Sequence, residues 1–100
     1  MDTLGIFITS DHYPDYLWAL ASAARDKGLR VRIHFSGSGV RLIRTADLNQ
    51  LPVWAQITVC RESAVLFQVE RQLEAHRPQW LVPSGRMARL IRECDRHLFI

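Results

Sequence analysis

At 100 residues, 48% of them hydrophobic and 23% charged, the chain has the composition of one ordinary globular domain and no room for a second core. Its formal charge of +3 comes almost wholly from arginine, twelve against one lysine. These are spread from Arg25 to Arg96 without a basic block interleaved with aromatics, which argues for paired surface charges and against a nucleic-acid face.

No apolar run nears the eighteen residues a membrane span needs. The first residues also lack the basic region and long apolar core of a secretory leader. Two cysteines, with neither CxxC nor paired Cys/His spacing, make neither a disulfide framework nor a zinc site. The expectation is a single cytoplasmic domain over residues 1–100, with no membrane association, no metal and no cofactor.

Leu4 to Thr9, "LGIFIT", reads as a short apolar strand followed by the polar loop "SDHYPD". Pro14 suits the first turn of a helix, and Asp15 suits its positive end. Leu17, Leu20, Ala21 and Ala24 then recur at helical spacing, and Lys27-Gly28 closes the helix. Arg30 to Phe35, "RVRIHF", alternates: Val31, Ile33 and Phe35 on one side, Arg30, Arg32 and His34 on the other. That pattern predicts a strand with one less-buried face, near an edge or a subunit contact.

"SGSG" is a turn, and Val40 to Ile43 begins a short helical segment that fades in "RTADLNQ" before Pro52 ends it. Val53 to Val59 is the third strand. Glu62 to His76 is the third helix, with Val65, Leu66, Val69 and Leu73 on its inner stripe. "QWLV" is a very short fourth strand. Ser84 to Asp95 is the fourth helix, with Met87, Leu90, Ile91 and Cys94 on one face, and "HLFI" is a last strand. Strict alternation of strand and helix implies a parallel sheet with helices on both faces, because each crossover returns right-handed.

In such a sheet, ligands collect at the carboxyl ends of the strands. The loops predicted there carry Ser10-Asp11-His12, Ser36-Gly37-Ser38-Gly39, Cys60-Arg61 and Pro83-Ser84-Gly85. A cysteine at a helix start meets the positive end of the dipole and free N–H groups, which favour thiolate over thiol. Arg61 adds a cation, and Glu62 opposes it. Equally, a free cysteine there can be a small buried filler. Packing accounts for Cys94.

The Gly37-Ser38-Gly39 turn lacks the third glycine of a dinucleotide fingerprint and follows the second strand, so a plain turn competes with an anion cradle. His12 and Asp11 can assist acid-base chemistry or simply solvate and cap. Trp18, Trp54 and Trp80 are dispersed, as packing residues are.

The chain resembles the DsrE/DsrF-like family of small sulfur-relay proteins, which includes the TusD and TusC type. The residues that carry the resemblance are the first helix ending in "KGLRVRIHF", then "SGSGVRLI", a strand ending in Cys60, and the closing "MARLIRECDRHLFI". Gly37, Gly39 and Val40 match the family's Gly-x-Gly-Val turn, although Ser38 stands where an acidic residue is usual.

The resemblance implies a three-layer αβα sandwich with a five-stranded, mostly parallel sheet. It implies trimers or hexamers of this chain, or assembly with related subunits. It also implies a sulfane sulfur carried on Cys60 as a persulfide and exchanged with a protein donor and acceptor. Arg61 would then stabilise the thiolate, with His12, Ser36, Gly37, Ser38 and Gly39 about the pocket. The rival expectations are a non-catalytic assembly or regulatory subunit in which Cys60 only packs, and a small-molecule-binding module that uses the "SGSG" turn.

Overall fold

The computed structural model describes residues 2–45, 51 and 54–100. Five strands, β1 (Thr3–Ile8), β2 (Arg30–Phe35), β3 (Gln56–Cys60), β4 (Leu81–Val82) and β5 (Arg96–Phe99), form one sheet in the order β4-β3-β2-β1-β5, and every neighbouring pair is parallel. The helices are α1 (Pro14–Asp26), α2 (Arg41–Thr45), α3 (Arg61–Leu66), α4 (Glu70–His76) and α5 (Arg86–Glu93). A 3₁₀ turn at Gly37–Val40 precedes α2, and another at Pro78–Trp80 precedes β4.

From β1 to β4 the chain steps across the sheet in one direction. Right-handed crossovers therefore stack α1 to α4 on one face. The return from β4 to the far side of β1 places α5 on the other face, which gives the αβα sandwich the alternation predicted. No helix among the described residues is long and apolar enough to cross a membrane.

The two faces differ because the strands alternate. Leu4, Ile6 and Ile8 of β1, Val31, Ile33 and Phe35 of β2, and Ile57 and Val59 of β3 share one buried cluster with Leu17, Ala21 and Ala24 of α1, Ile43 of α2, Ala64 of α3, and Val69 and Leu73. The opposite face carries Gly5 and Phe7, Arg32 and His34, and Gln56 and Thr58, and of the described helices only α5 lies over it. In the cross-strand register Phe7 faces His34, and His34 faces Thr58.

Several expectations change. The second strand lies at the centre of the sheet, not near an edge. Its polar face is exposed only where α5 leaves it uncovered, and His34 on that face is buried. The third helix is broken: α3 ends at Leu66, Gln68 takes a left-handed φ of 61°, and α4 begins at Glu70. The break turns the second half so that Ala64, Val69 and Leu73 seal the core, and Leu66 is left 74% exposed beside an exposed Val65.

The fourth helix stops at Glu93. Cys94 follows it and sits half-buried over β1: a Cβ on Gly5 would lie 2.7 Å from the Cys94 Sγ. The third strand starts at Gln56, and its expected start at Val53 lies outside the described residues, as does the segment from Ala46 to Pro52 apart from Leu51.

Arginine is used as the composition implies. Arg32, Arg41, Arg61 and Arg89 pair with carboxylates, while Arg25, Arg41 and Arg77 lie over the rings of Trp54, Phe67 and Trp80. The tryptophans are thus partly covered packing residues.

Gly39 marks the closest approach in the fold. A Cβ there would fall 2.6 Å from the Ile8 carbonyl oxygen and 2.9 Å from its carbonyl carbon, both backbone atoms that cannot swing aside. Gly39→Ala is expected to lower stability by roughly 2–3 kcal/mol in urea unfolding, in the range of an overpacked core site. The control is Gly85→Ala, where a Cβ meets nothing within 4 Å; it should stay within about 0.5 kcal/mol of the parent. Equal effects of the two substitutions would contradict the tight contact.

Candidate functional site

The carboxyl ends of β1 to β4 are laced together by hydrogen bonds between successive loops. The Ser38 hydroxyl donates to the Thr9 carbonyl at 3.4 Å, the Gly37 N–H donates to Ser63 Oγ at 2.9 Å, and the Ser84 N–H donates to Glu62 Oε2 at 2.9 Å. Each bond joins one loop to the next, so the edge is a connected surface. Ser36 anchors the second loop by donating its N–H to the Ile8 carbonyl. The structure therefore brings together Ser36, Gly37, Ser38, Gly39 and the start of α3, as the strand-helix count predicted.

Cys60 stands at this edge, between β3 and α3, and is only 6% exposed. Its thiol does not cap the helix; it points at Glu62 Oε2, 3.5 Å away. Glu62's own backbone N–H, the thiol and the Ser84 N–H hold its carboxyl below the usual carboxylate range, so it faces the sulfur as an anion.

Arg61 is directed elsewhere, to Glu74 of α4 at 3.3 Å. His12 lies 3.9 Å from Asp11 with its side chain 71% exposed, and none of the described hydrogen bonds or ion pairs joins it to Cys60. Glu62, expected to oppose a thiolate at Cys60, is the thiol's partner, and the residue missed from the sequence is Ser63, the clasp on the glycine turn; both are polar residues in the first turn of α3. That position was the available signal.

A second group lies on the polar face of the sheet, below this edge. His34 is 2% exposed. Its Nδ1 is 2.7 Å from Thr58 Oγ1, and its Nε2 is buried without a hydrogen-bond partner among the described residues. Burial pushes its pKa down to about 4, so the ring is neutral at physiological pH.

Leaving a buried polar nitrogen unpaired costs about 1–3 kcal/mol. Sequence alternation placed His34 on the less-buried face; the depth of its burial comes from α5. Nearby, Glu93 accepts from Arg32 at 2.6 Å and from Arg89 at 2.9 Å, and these bonds hold its carboxyl below the usual range.

Among the described residues no three His, Cys, Asp or Glu side chains converge where a metal ion would sit. No family model, curated protein or solved structure matches this chain.

The state of His34 has a measurable consequence. Between the free value of 6.5 and the folded value of about 4, the unfolded chain takes up a proton that the folded ring refuses. This contribution is therefore intact above about pH 6.5 and is lost progressively as pH falls toward 4. The loss amounts to about 3 kcal/mol at most. Nitrogen NMR of the histidine rings should show one of the four titrating near 4, with its Nε2 and Nδ1 inequivalent at neutral pH. A His34 midpoint near 6.5 would contradict a buried neutral ring.

Proposed function

We propose that this protein is a sulfur-carrier subunit of the DsrE/DsrF-like type, with Cys60 as the sulfur-bearing residue. The observation that supports it most is the place of Cys60, between the third parallel strand and its helix, on an edge where four loops are tied to one another. The resemblance that runs from "KGLRVRIHF" to "HLFI" supports the same reading.

In this reading the Cys60 sulfur attacks the outer sulfur of a donor persulfide, R–S–SH. The donor's S–S bond breaks, Cys60–S–SH forms, and the thiol proton passes by way of Glu62 Oε2 to the departing R–S⁻. An acceptor thiolate then takes the outer sulfur and Cys60 regains its thiol, with no net oxidation. Glu62 thus orients the thiol and receives its proton. The carboxylate also opposes negative charge on the resting sulfur, which keeps an unloaded Cys60 quiet until a partner docks.

The donor and acceptor are proteins, the setting is the cytoplasm, and the assembly is a homo-trimer or hexamer or a complex with related subunits. Exposed Tyr13, Tyr16, Val65, Leu66, Leu98 and Phe99 support association. The second reading is a non-catalytic assembly subunit, favoured by the 6% exposure of Cys60.

Intact-mass analysis after incubation with a persulfide donor separates the two. Carrier function predicts a gain of one sulfur that is lost in Cys60→Ser and kept in Cys94→Ser. It also predicts that Glu62→Gln speeds iodoacetamide alkylation of Cys60 by about three- to tenfold at neutral pH, because the facing negative charge is removed. If the protein takes up no sulfur, the packing reading replaces the carrier.

A further inference from the structure

The cleft between α5 and the polar face of the sheet is distinct in position from the Cys60 edge. It encloses about 150 Å³ and is lined by Phe7, Arg32, His34, Gln56, Thr58, Arg86, Leu90 and Glu93. Cys60 is the next same-face residue after Thr58 on β3, about 7 Å further along the strand. We propose that this cleft binds a small single-ring carboxylate, with His34 and Arg86 as its polar contacts and Phe7 and Leu90 as its apolar walls.

Four observations carry this. The first is His34, which lines the cleft and whose buried Nε2 has no hydrogen-bond partner among the described residues. Nearly all buried polar atoms in proteins are satisfied, so an unpaired one on a residue that lines a cavity points to a bound group there. In the tautomer whose Nδ1 accepts from the Thr58 hydroxyl, the neutral ring presents Nε2–H as a donor to an oxygen.

The second is charge. Glu93, the one acidic residue of the lining, is already engaged by both Arg32 and Arg89. Arg86 has no carboxylate partner among the described residues. Arg32 and Arg86 against Glu93 leave the lining with one net positive charge, which suits one carboxylate in the fork of a guanidinium.

The third is the apolar wall. Phe7 and Leu90 line the same space, and the Phe7 ring is braced by Phe99, stacked at 5.2 Å between centroids, and by the edge of His34 at 6.1 Å. The fourth is size. A cavity of this volume accepts a molecule about as large as benzene. The cleft is open to one side, so the ring can sit within it with its carboxylate toward the exposed Arg86. Gln56 and Thr58 supply further polar atoms for ring substituents.

The test uses benzoate as the probe, with benzamide as its uncharged counterpart and inorganic phosphate as a bare anion. Binding is read by NMR of the His34 ring and by the shift in Tm. Millimolar benzoate is expected to move the His34 signals and raise Tm. Benzamide is expected to bind about tenfold more weakly or worse, as is benzoate to Arg86→Gln. Arg86 is exposed, so that variant should melt with the parent when free.

Cys60→Ser should bind benzoate as the parent does, which separates this site from the sulfur chemistry. Three results would each overturn the proposal: His34 signals unmoved by benzoate at tens of millimolar, leaving water alone on Nε2; phosphate acting as strongly as benzoate; or unchanged benzoate affinity in Arg86→Gln.

Discussion

Every strand of this sheet runs in the same direction, so each connection must travel back over one face. Handedness decides which face. Three successive steps from β1 to β4 load α1 to α4 onto one side, and the single return step leaves α5 alone on the other. The sealed side holds the apolar core, built from alternate residues of β1, β2 and β3 and from residues of α1 to α4 and their junctions. The other side has one eight-residue helix to cover five strands. A face so thinly covered can afford polar residues, and Arg32, His34, Gln56 and Thr58 occupy it.

That inequality explains why the two chemically interesting places lie where they do. The carboxyl edge is held by short polar links between loops, Ser38 to Thr9, Gly37 to Ser63, Ser84 to Glu62. The links depend on glycine, because the second loop passes so close to the end of β1 that Gly39 has no space for a side chain. Cys60 is fixed within this lattice, with its thiol facing the Glu62 carboxylate.

On the polar face the governing fact is the depth of His34. A histidine at a surface would titrate near neutrality; this one, with a threonine hydroxyl at Nδ1 and no partner for Nε2 among the described residues, is kept neutral by burial. Around it the ion pairs are arranged so that the acid is satisfied twice, while Arg86 has no carboxylate partner among the described residues. The cleft is lined by apolar Phe7 and Leu90, by the neutral His34 ring and by the Arg86 cation.

From the sequence alone, periodicity determined the kind and order of the elements. "LGIFIT" and "RVRIHF" read as strands, the Leu17 to Ala24 stripe as a helix, and their alternation as a parallel αβα sandwich, because apolar spacing is a local property that the backbone period translates directly. It also placed Cys60 and the glycine turn on one edge. The break at Gln68 was not legible, since Val65, Leu66, Val69 and Leu73 keep a helical spacing that only the shape of the core overrules. Nor was the central position of β2, because strand order is set by crossovers between distant segments. Which charges meet, Arg61 with Glu74 and Arg32 with Glu93, and how deeply His34 lies beneath a helix more than fifty residues later in the chain, depend on long-range packing. A linear pattern carries no distance between such residues; the folded sheet supplies it.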